Sequence, residues 1–213
     1  MVEYQIVSGD ACPEALFAFR YAVYVEELGR PQTHACHQTR RIIDPLDACG
    51  HNLIAWRDGA VVGAVRANFV RDGGTGSYEE LYELDRLSDQ ERSTASLCTR
   101  YMVAPAQRRT RVSVELMKRI YRFGIQHGIR TSYLDTNPPY RRYYEKIGYE
   151  FLFEKTHPDY GRVSVMRLQA DDLGKLRAAR SPFAPIYEGY LRRCALEASA
   201  HATAGSGPSS VRP

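Results

Sequence analysis

Three arginines surround the start of a predicted helix in the second half of the chain. Arg108, Arg109 and Arg111 follow a predicted strand and a Val-Ala-Pro turn, and apolar residues then recur every three or four positions. The first turn of a helix has unpaired N–H groups and a partial positive charge, so it attracts anions. Three guanidinium groups strengthen that attraction, and the segment therefore predicts a site for phosphate groups. The alternative is a solvated basic helix face.

A tyrosine-rich segment surrounds Tyr144, the residue to which a family resemblance assigns the role of proton donor. The sequence TNPPYRRYYEKIGYEF contains Tyr144 on a short predicted helix, with Tyr140, Tyr143 and Tyr149 close by. A tyrosine hydroxyl beside a leaving group can protonate it. The alternative is that Tyr144 is one packed aromatic residue among several.

Five charged residues in the first half could form one partly buried network, and they are singled out by a family resemblance that rests on the motifs FRYAVY, IDPLD, GAVRANF and TRYMV. Three arginines and two aspartates are involved: Arg20, Asp44, Asp47, Arg66 and Arg100. Such a network would order the segment after the first helix over a neighbouring site. The alternative is that these side chains are scattered surface charges.

Composition narrows the classes of protein that remain possible. The chain has 213 residues, of which 44% are apolar and 25% are charged, and this is typical of one soluble domain. No apolar run is long enough for a membrane helix, and we expect a cytoplasmic protein with reduced cysteines. The net charge of +4 is too small to indicate nucleic-acid binding. The sequence HACH at 34–37 lacks a second ligand pair, so we expect no metal.

Alternating strands and helices predict an α/β fold with a central mixed sheet of about seven strands flanked by helices. Strands are predicted at 3–7, 51–56, 61–70, 95–103, 131–136, 149–155 and 162–168. Helices are predicted at 13–29, 78–87, 111–128 and 138–148, with further helices after residue 170. Residues 30–41 are expected to form a mobile loop. The domain spans residues 1–196, and 197–213 are expected to be a disordered tail.

Two motifs of this sequence resemble the GNAT acyltransferase superfamily. The strand, Val-x-Pro-like loop and basic helix start resemble its coenzyme A motif, and Asn137, Tyr144, Gly148 and Tyr149 match its closing motif. The resemblance implies that Tyr144 protonates a thiolate and that Asn137 helps to bind the donor. It also implies that the pantetheine arm and its phosphate groups are bound by Met102, Val103, Arg108, Arg109, Thr110, Arg111, Val112 and Ser113. Arg111 and Ser113 replace the superfamily's glycines, so a phosphate must lie further from the backbone.

The first half is similar to a narrower group, the N-acyl amino acid synthases and acyl-homoserine-lactone synthases. This similarity rests on FRYAVY, IDPLD, GAVRANF and TRYMV, and it covers residues 4–168. It implies transfer of a fatty acyl chain from an acyl-carrier-protein or coenzyme A thioester to a primary amine of an amino acid or a peptide side chain. The basic cluster would also complement an acidic carrier protein.

Three other functions remain open, as does the identity of the group that accepts the amine's proton. The chain could be an acetyl-CoA-dependent N-acetyltransferase, a homoserine-lactone synthase, or a non-catalytic module that binds acyl groups or carrier proteins. The amine's proton would go to a water molecule or to a remote carboxylate such as Asp135. Cys98 could be a covalent nucleophile, although a cysteine in an apolar strand is usually a core residue.

Overall fold

The computed structural model describes the backbone of residues 1–204 and the side chains of residues 1–200. Nine strands are present: β1 (Val2–Ser8), β2 (Ala35–Cys36), β3 (Arg41–Ile42), β4 (His51–Arg57), β5 (Ala60–Phe69), β6 (Ala95–Val103), β7 (Thr131–Thr136), β8 (Glu150–His157) and β9 (Gly161–Gln169). Seven α-helices accompany them: α1 (Glu14–Tyr21), α2 (Tyr78–Leu81), α3 (Asp89–Ser93), α4 (Arg111–Gln126), α5 (Arg141–Lys146), α6 (Leu173–Ala178) and α7 (Ala184–Ala204).

Seven strands form one mixed sheet in the order β1-β4-β5-β6-β7-β9-β8. Every neighbouring pair is antiparallel except β6 and β7, which are joined by the crossover helix α4 and are parallel. The predicted α/β class and seven-stranded mixed sheet are confirmed. The predicted antiparallel pairing of the last two strands through the 158–161 turn is also present.

Helix α4 covers one face of the sheet because its apolar residues fall on one side. Val112, Leu116 and Ile120 are buried against β4, β5 and β6, whereas Arg111 and Arg122 are exposed. Thr110 caps this helix, and its side-chain oxygen accepts the Val112 N–H at 3.2 Å. Helix α7 packs on α4, so the last helices lie on this same face.

The N-terminal segment covers the opposite face. Helix α1 continues into a π-helical segment, Ala22–Glu27, and this extra residue per turn changes which side chains face inward. Within this segment Val23 and Tyr24 are buried, whereas Ala22 is exposed. Residues 30–41, expected to be a mobile loop, contain the short β2–β3 ribbon and the buried side chain of Gln32.

Two further boundaries differ from the sequence prediction. The helix predicted at 78–87 is divided into α2 and a 3₁₀ turn at Leu84–Arg86, because Glu83 has a left-handed backbone with φ of 54°. Helix α7 continues to Ala204, past the expected start of the tail at 197, and its alanines favour helix. The rest of the predicted tail, 205–213, lies outside the described residues.

A β-bulge in β6 separates the middle of this strand from β7. Ala64 pairs with Met102 and Arg66 pairs with Thr99, so one residue of β5 lies opposite both Arg100 and Tyr101. The parallel pairing of β6 with β7 includes only Ala95–Leu97 and Thr131–Tyr133. Beyond these residues the two strands diverge, and a cleft opens between them.

Candidate active site

The cleft between β6 and β7 has a volume of about 580 Å³. Residues from β6, β7, α4, α5, the π-helical segment and the β8–β9 turn line it. Seven tyrosines contribute to its wall: Tyr24, Tyr78, Tyr101, Tyr140, Tyr143, Tyr144 and Tyr160. This size and its mixed apolar and hydroxyl lining suit a long, mostly apolar substrate arm held by a few polar groups.

The five charged residues singled out in the first half form one buried network beside the cleft. Arg20 binds Asp47 through two hydrogen bonds of 2.7 and 2.8 Å, and Arg66 donates to both Asp44 and Asp47 at 2.5 and 2.9 Å. Arg100 donates to Asp44 at 2.7 and 3.1 Å. All five side chains are buried, so the interpretation as scattered surface charges is wrong.

The two aspartates of this network remain ionised because their partners outweigh the effect of burial. Burial alone would raise the pKa of Asp44, but Arg66 and Arg100 hold this pKa well below its usual value. Burial acts on Asp47 in the same sense, and Arg20 and Arg66 lower its pKa. Asp44 also accepts the Leu46 N–H, and Asp47 accepts the Asp44 N–H, so the two carboxylates close a capping box on the 3₁₀ turn Pro45–Asp47.

Arg100 links this network to the wall of the cleft. Its backbone has a left-handed conformation, with φ of 53°, at the bulge in β6. This conformation is unfavourable for an arginine and persists because the side chain is fixed on all sides. Besides Asp44, the guanidinium donates to Gln32 Oε1 at 2.7 Å and to the Tyr160 hydroxyl at 2.9 Å. The network therefore maintains the bulge that opens the cleft.

The backbone of β6 presents one free donor to the cleft at Val103. Ala104 N donates to Val62 O of β5, so the alternate residue Val103 directs its N–H and C=O away from β5. Arg108 Nε donates to the Val103 carbonyl oxygen at 3.0 Å, whereas the Val103 N–H has no partner among the described residues. Met102, which is expected to bind the pantetheine arm, lines the cleft, but its backbone pairs with Ala64 of β5.

At the start of α4, several backbone N–H groups that were predicted to bind phosphate are already hydrogen-bonded within the protein. Backbone N–H groups of Arg108 and Thr110 are bonded within the 104–107 turn, and the Val112 N–H is bonded to the Thr110 hydroxyl. Within the described residues, the N–H groups of Arg109 and Arg111 have no such partner. Fewer amides are therefore available for phosphate, because backbone carbonyl oxygens of residues 104–107 and the Thr110 hydroxyl already accept their hydrogen bonds.

The basic cluster at this helix start is partly neutralised. Arg108 makes a bidentate ion pair with Glu27 at 2.5 and 2.8 Å, so its expected role in binding phosphate is not favoured. Glu115 contacts Lys118 and Arg119 at 3.5 and 3.8 Å. Three arginines in this cluster have no ion-pair partner among the described residues: Arg109, Arg111 and Arg122. Arg109 and Ser113 line the cleft, which connects this positive region to its interior.

Tyr144 lies in the wall of the cleft, next to Tyr143 and Tyr149, with ring centroids 5.2 and 5.9 Å from its own. Burial raises the pKa of its hydroxyl well above 10, so the group keeps its proton at neutral pH. Within the part of the chain that the structure describes, this hydroxyl has no hydrogen-bond partner. It can therefore donate to a bound substrate.

Three other predicted candidates have structural roles in this arrangement. Burial raises the pKa of the Cys98 thiol to about 12, so it stays protonated and does not act as a nucleophile. Asn137 lines the cleft, but its amide nitrogen donates to the carbonyl oxygens of Tyr160 and Arg162. Among the described residues there is no group of three metal-ligating side chains, and His37 in the HACH segment hydrogen-bonds Tyr21 at 2.9 Å.

Sequence reasoning did not identify Tyr160 and Arg30 as components of this cleft, nor Gln32, which contacts Arg100 and Tyr160 behind it. Tyr160 stacks on Tyr24 and on His157, and Arg30 lies 5.7 Å above the Tyr160 ring. Residues 1–200 contain no ion-pair partner for Arg30. The count of 15 tyrosines was a signal that aromatic residues are used for more than packing, but it does not identify which ones meet.

Comparisons with known proteins agree with this fold and cleft. The family model of the N-acyl amino acid synthase FeeM matches residues 15–171. A search of curated proteins finds no significant match. None of the helices in the described part of the chain has the length and apolar character needed to cross a membrane.

Several solved structures share the fold at low sequence identity. BjaI, a CoA-dependent acyl-homoserine lactone synthase solved with SAM and isopentyl-CoA, has a TM-score of 0.67 at 15% identity over 85% of this chain and 91% of its own. The AHL synthase LasI has a TM-score of 0.66 at 15% identity, over 84% and 94%. Escherichia coli ElaA has a TM-score of 0.58 at 19% identity, over 79% and 99%.

The family match spans most of the domain, and the neighbouring structures share its overall fold. The chain therefore belongs to the N-acyl amino acid synthase FeeM family and is an N-acyltransferase.

Proposed function

We propose that this enzyme transfers a fatty acyl chain from an acyl-carrier-protein thioester to the α-amine of an amino acid. The observation that carries the proposal is the continuous cleft that joins the basic start of α4 to Tyr144 and the tyrosine-lined interior. A phosphopantetheine arm would enter beside Arg109 and Ser113, with its phosphate near the free N–H groups of Arg109 and Arg111. The acyl chain would occupy the apolar part of the cleft.

The reaction would be a direct attack of the amine on the thioester carbonyl carbon. The Val103 N–H would donate to the thioester carbonyl oxygen, where negative charge develops as the C–N bond forms. Tyr144 would protonate the sulfur as the C–S bond breaks, and solvent would return a proton to its hydroxyl. These roles follow from the free N–H of Val103 and the unpartnered hydroxyl of Tyr144, both described above.

The opposite end of the cleft fits an amino acid acceptor. Arg30 lines it with no ion-pair partner among residues 1–200, so its guanidinium would bind the acceptor's carboxylate. Tyr24 and Tyr160 would contact the acceptor's side chain. A peptide acceptor would present a side-chain amine in place of the α-amine.

An acyl carrier protein is favoured over coenzyme A by the position of the unpaired cations. Arg109 precedes α4, and Arg111 and Arg122 lie on its exposed side about three turns apart, a separation greater than one phosphate group needs. Acyl carrier proteins are acidic around their phosphopantetheine attachment site, so this row of charge would complement them. Coenzyme A, with three phosphates, is the other outcome of the test.

The decisive experiment identifies the product. We expect lipid extracts of a bacterial host expressing the protein to contain a new N-acyl amino acid by mass spectrometry, absent from a host expressing Tyr144→Phe. Purified enzyme should release thiol from dodecanoyl-ACP faster than from dodecanoyl-CoA or acetyl-CoA when the twenty amino acids are supplied. Activity with acetyl-CoA alone would instead indicate an N-acetyltransferase. Donor binding without transfer to any amine would indicate a non-catalytic module.

A further inference from the structure

The cleft contains one carboxylate that the proposed reaction has not used. Asp135 is on β7, and the parallel register that pairs Leu97 with Tyr133 places it level with Thr99, beside the bulge. Its side chain lines the same cleft as Tyr144 and Arg30. We propose that Asp135 is the general base that removes a proton from the acceptor amine, an inference that rests on the proposed function.

The hydroxyl of Tyr82 holds this carboxylate in place. Tyr82 donates to Asp135 Oδ1 at 2.6 Å, and its own ring is buried between Tyr78 and Tyr133. Among the described residues, Tyr82 is the side chain that donates a hydrogen bond to this carboxylate, and the carboxylate keeps lone pairs that could accept a proton. Tyr82 fixes the orientation of the base and is thus a positioning residue.

The surroundings of Asp135 keep it basic enough for the task. Burial raises the pKa of Asp135, and Tyr82, His157 and Arg100 lower it by smaller amounts. A carboxylate with an elevated pKa is a stronger base near neutral pH than an exposed aspartate. The titratable or charged groups that face it are Tyr78, Tyr82, Arg100, Tyr144, His157 and Tyr160.

The proton balance of the step is simple. As the amine nitrogen bonds to the carbonyl carbon, one of its protons passes to Asp135, and the sulfur that leaves the same carbon receives a proton from Tyr144. Asp135 then gives its proton to solvent, and Tyr144 recovers one from solvent. Asp135 and Tyr144 both line this cleft, and the step requires that both reach one tetrahedral centre there.

The test is the pH dependence of kcat for wild-type enzyme and Asp135→Asn, with dodecanoyl-ACP and the most active of the twenty amino acids. We expect wild-type kcat to rise with pH through the carboxyl pKa and then level off. The variant should be about 10²- to 10⁴-fold slower at neutral pH. The kcat of the variant should keep rising with pH until the acceptor amine is deprotonated in solution, so the difference in kcat between the two enzymes should shrink at high pH. The KM for the donor should not change.

Stability separates a base from a structural residue. Folding raises the pKa of Asp135, so ionisation of this carboxyl destabilises the folded state at every pH above the unfolded pKa of about 4. Asp135→Asn removes this effect and should therefore not lower the melting temperature at pH 8. The control is Asp171→Asn, which changes an exposed carboxylate near Arg130 outside the cleft. This control should keep full activity and the wild-type pH profile.

A second variant tests the proposal even if Asp135→Asn does not fold. Tyr82→Phe removes the hydrogen bond that lowers the Asp135 pKa, so the rising limb of kcat should move to higher pH. Full activity of Asp135→Asn, an equal loss at every pH, or an unmoved limb in Tyr82→Phe would each overturn the role of Asp135 while leaving the proposed transferase intact. A wild-type enzyme that transfers no acyl group to any amine would overturn both.

Discussion

The substitution Asp44→Asn, which replaces one carboxylate oxygen by an amide nitrogen, should strongly lower the stability of the folded protein. Its carboxylate accepts hydrogen bonds from Arg66 and Arg100, and all three side chains are buried. The network contains three guanidinium groups and two carboxylates. Asp44→Asn leaves three guanidinium groups with one carboxylate, while the side-chain volume hardly changes. The variant therefore isolates charge from packing.

The expected cost follows from the burial of these groups. Removing one partner of a buried ion pair leaves an uncompensated charge and costs about 3–5 kcal/mol. For a domain of this size each kcal/mol lowers the melting temperature by about 2–4 °C, so we expect a fall of roughly 6–20 °C. The control Glu154→Gln breaks an exposed pair with Arg162 and should cost less than about 1 kcal/mol.

Two measurements test this reasoning. Because Asp44 has a lowered pKa in the folded protein, its contribution to the free energy of unfolding is present above the unfolded pKa of about 4 and is lost as pH falls further. Urea unfolding should therefore show a large difference between wild type and Asp44→Asn at pH 7 and a smaller one at pH 3. The double variant Asp44→Asn/Arg100→Gln should recover part of the loss. A cost below about 1 kcal/mol at pH 7 would refute the network as the support of the cleft.

Three further results are expected. Arg109→Ala and Arg111→Ala should raise the KM for acyl-ACP several-fold at low salt and less at high salt, in steady-state assays across ionic strength; equal KM values would refute carrier docking there. Arg108→Ala should lower thermal stability more than Arg109→Ala does, because it loses Glu27 and the Val103 carbonyl, and scanning calorimetry would show this. Tyr144→Phe should lower kcat by about 10²- to 10⁴-fold at unchanged KM; normal turnover would exclude it as the acid.

The features that depend on local residue pattern could be predicted from the sequence. The apolar stripe Val112, Leu116 and Ile120 follows from the helical period, and the strand and helix alternation follows from hydrophobic spacing. Both predictions rely on patterns that recur at short, regular intervals. The charged network joins residues that are distant in sequence, and it could be anticipated only from the family resemblance, together with the need of buried arginines and aspartates for partners.

Features that depend on distant partners could not be predicted in this way. Arg108 and Glu27 are 81 residues apart, so nothing local reveals that this arginine is already paired. The bulge at Arg100 reverses which side chains of β6 face each layer, and its cause is a set of contacts with Asp44, Gln32 and Tyr160. The contact between Tyr82 and Asp135 is likewise formed by chain segments 53 residues apart.

The left-handed backbone of Arg100 ties the shape of the cleft to a segment that is distant in sequence. A chimera that exchanges residues 28–47 with those of a relative would also replace Gln32 and Asp44, the side chains that keep Arg100 in its strained conformation. Without them the strand would relax toward regular pairing and narrow the cleft, so any redesign of this segment must include compensating changes around Arg100.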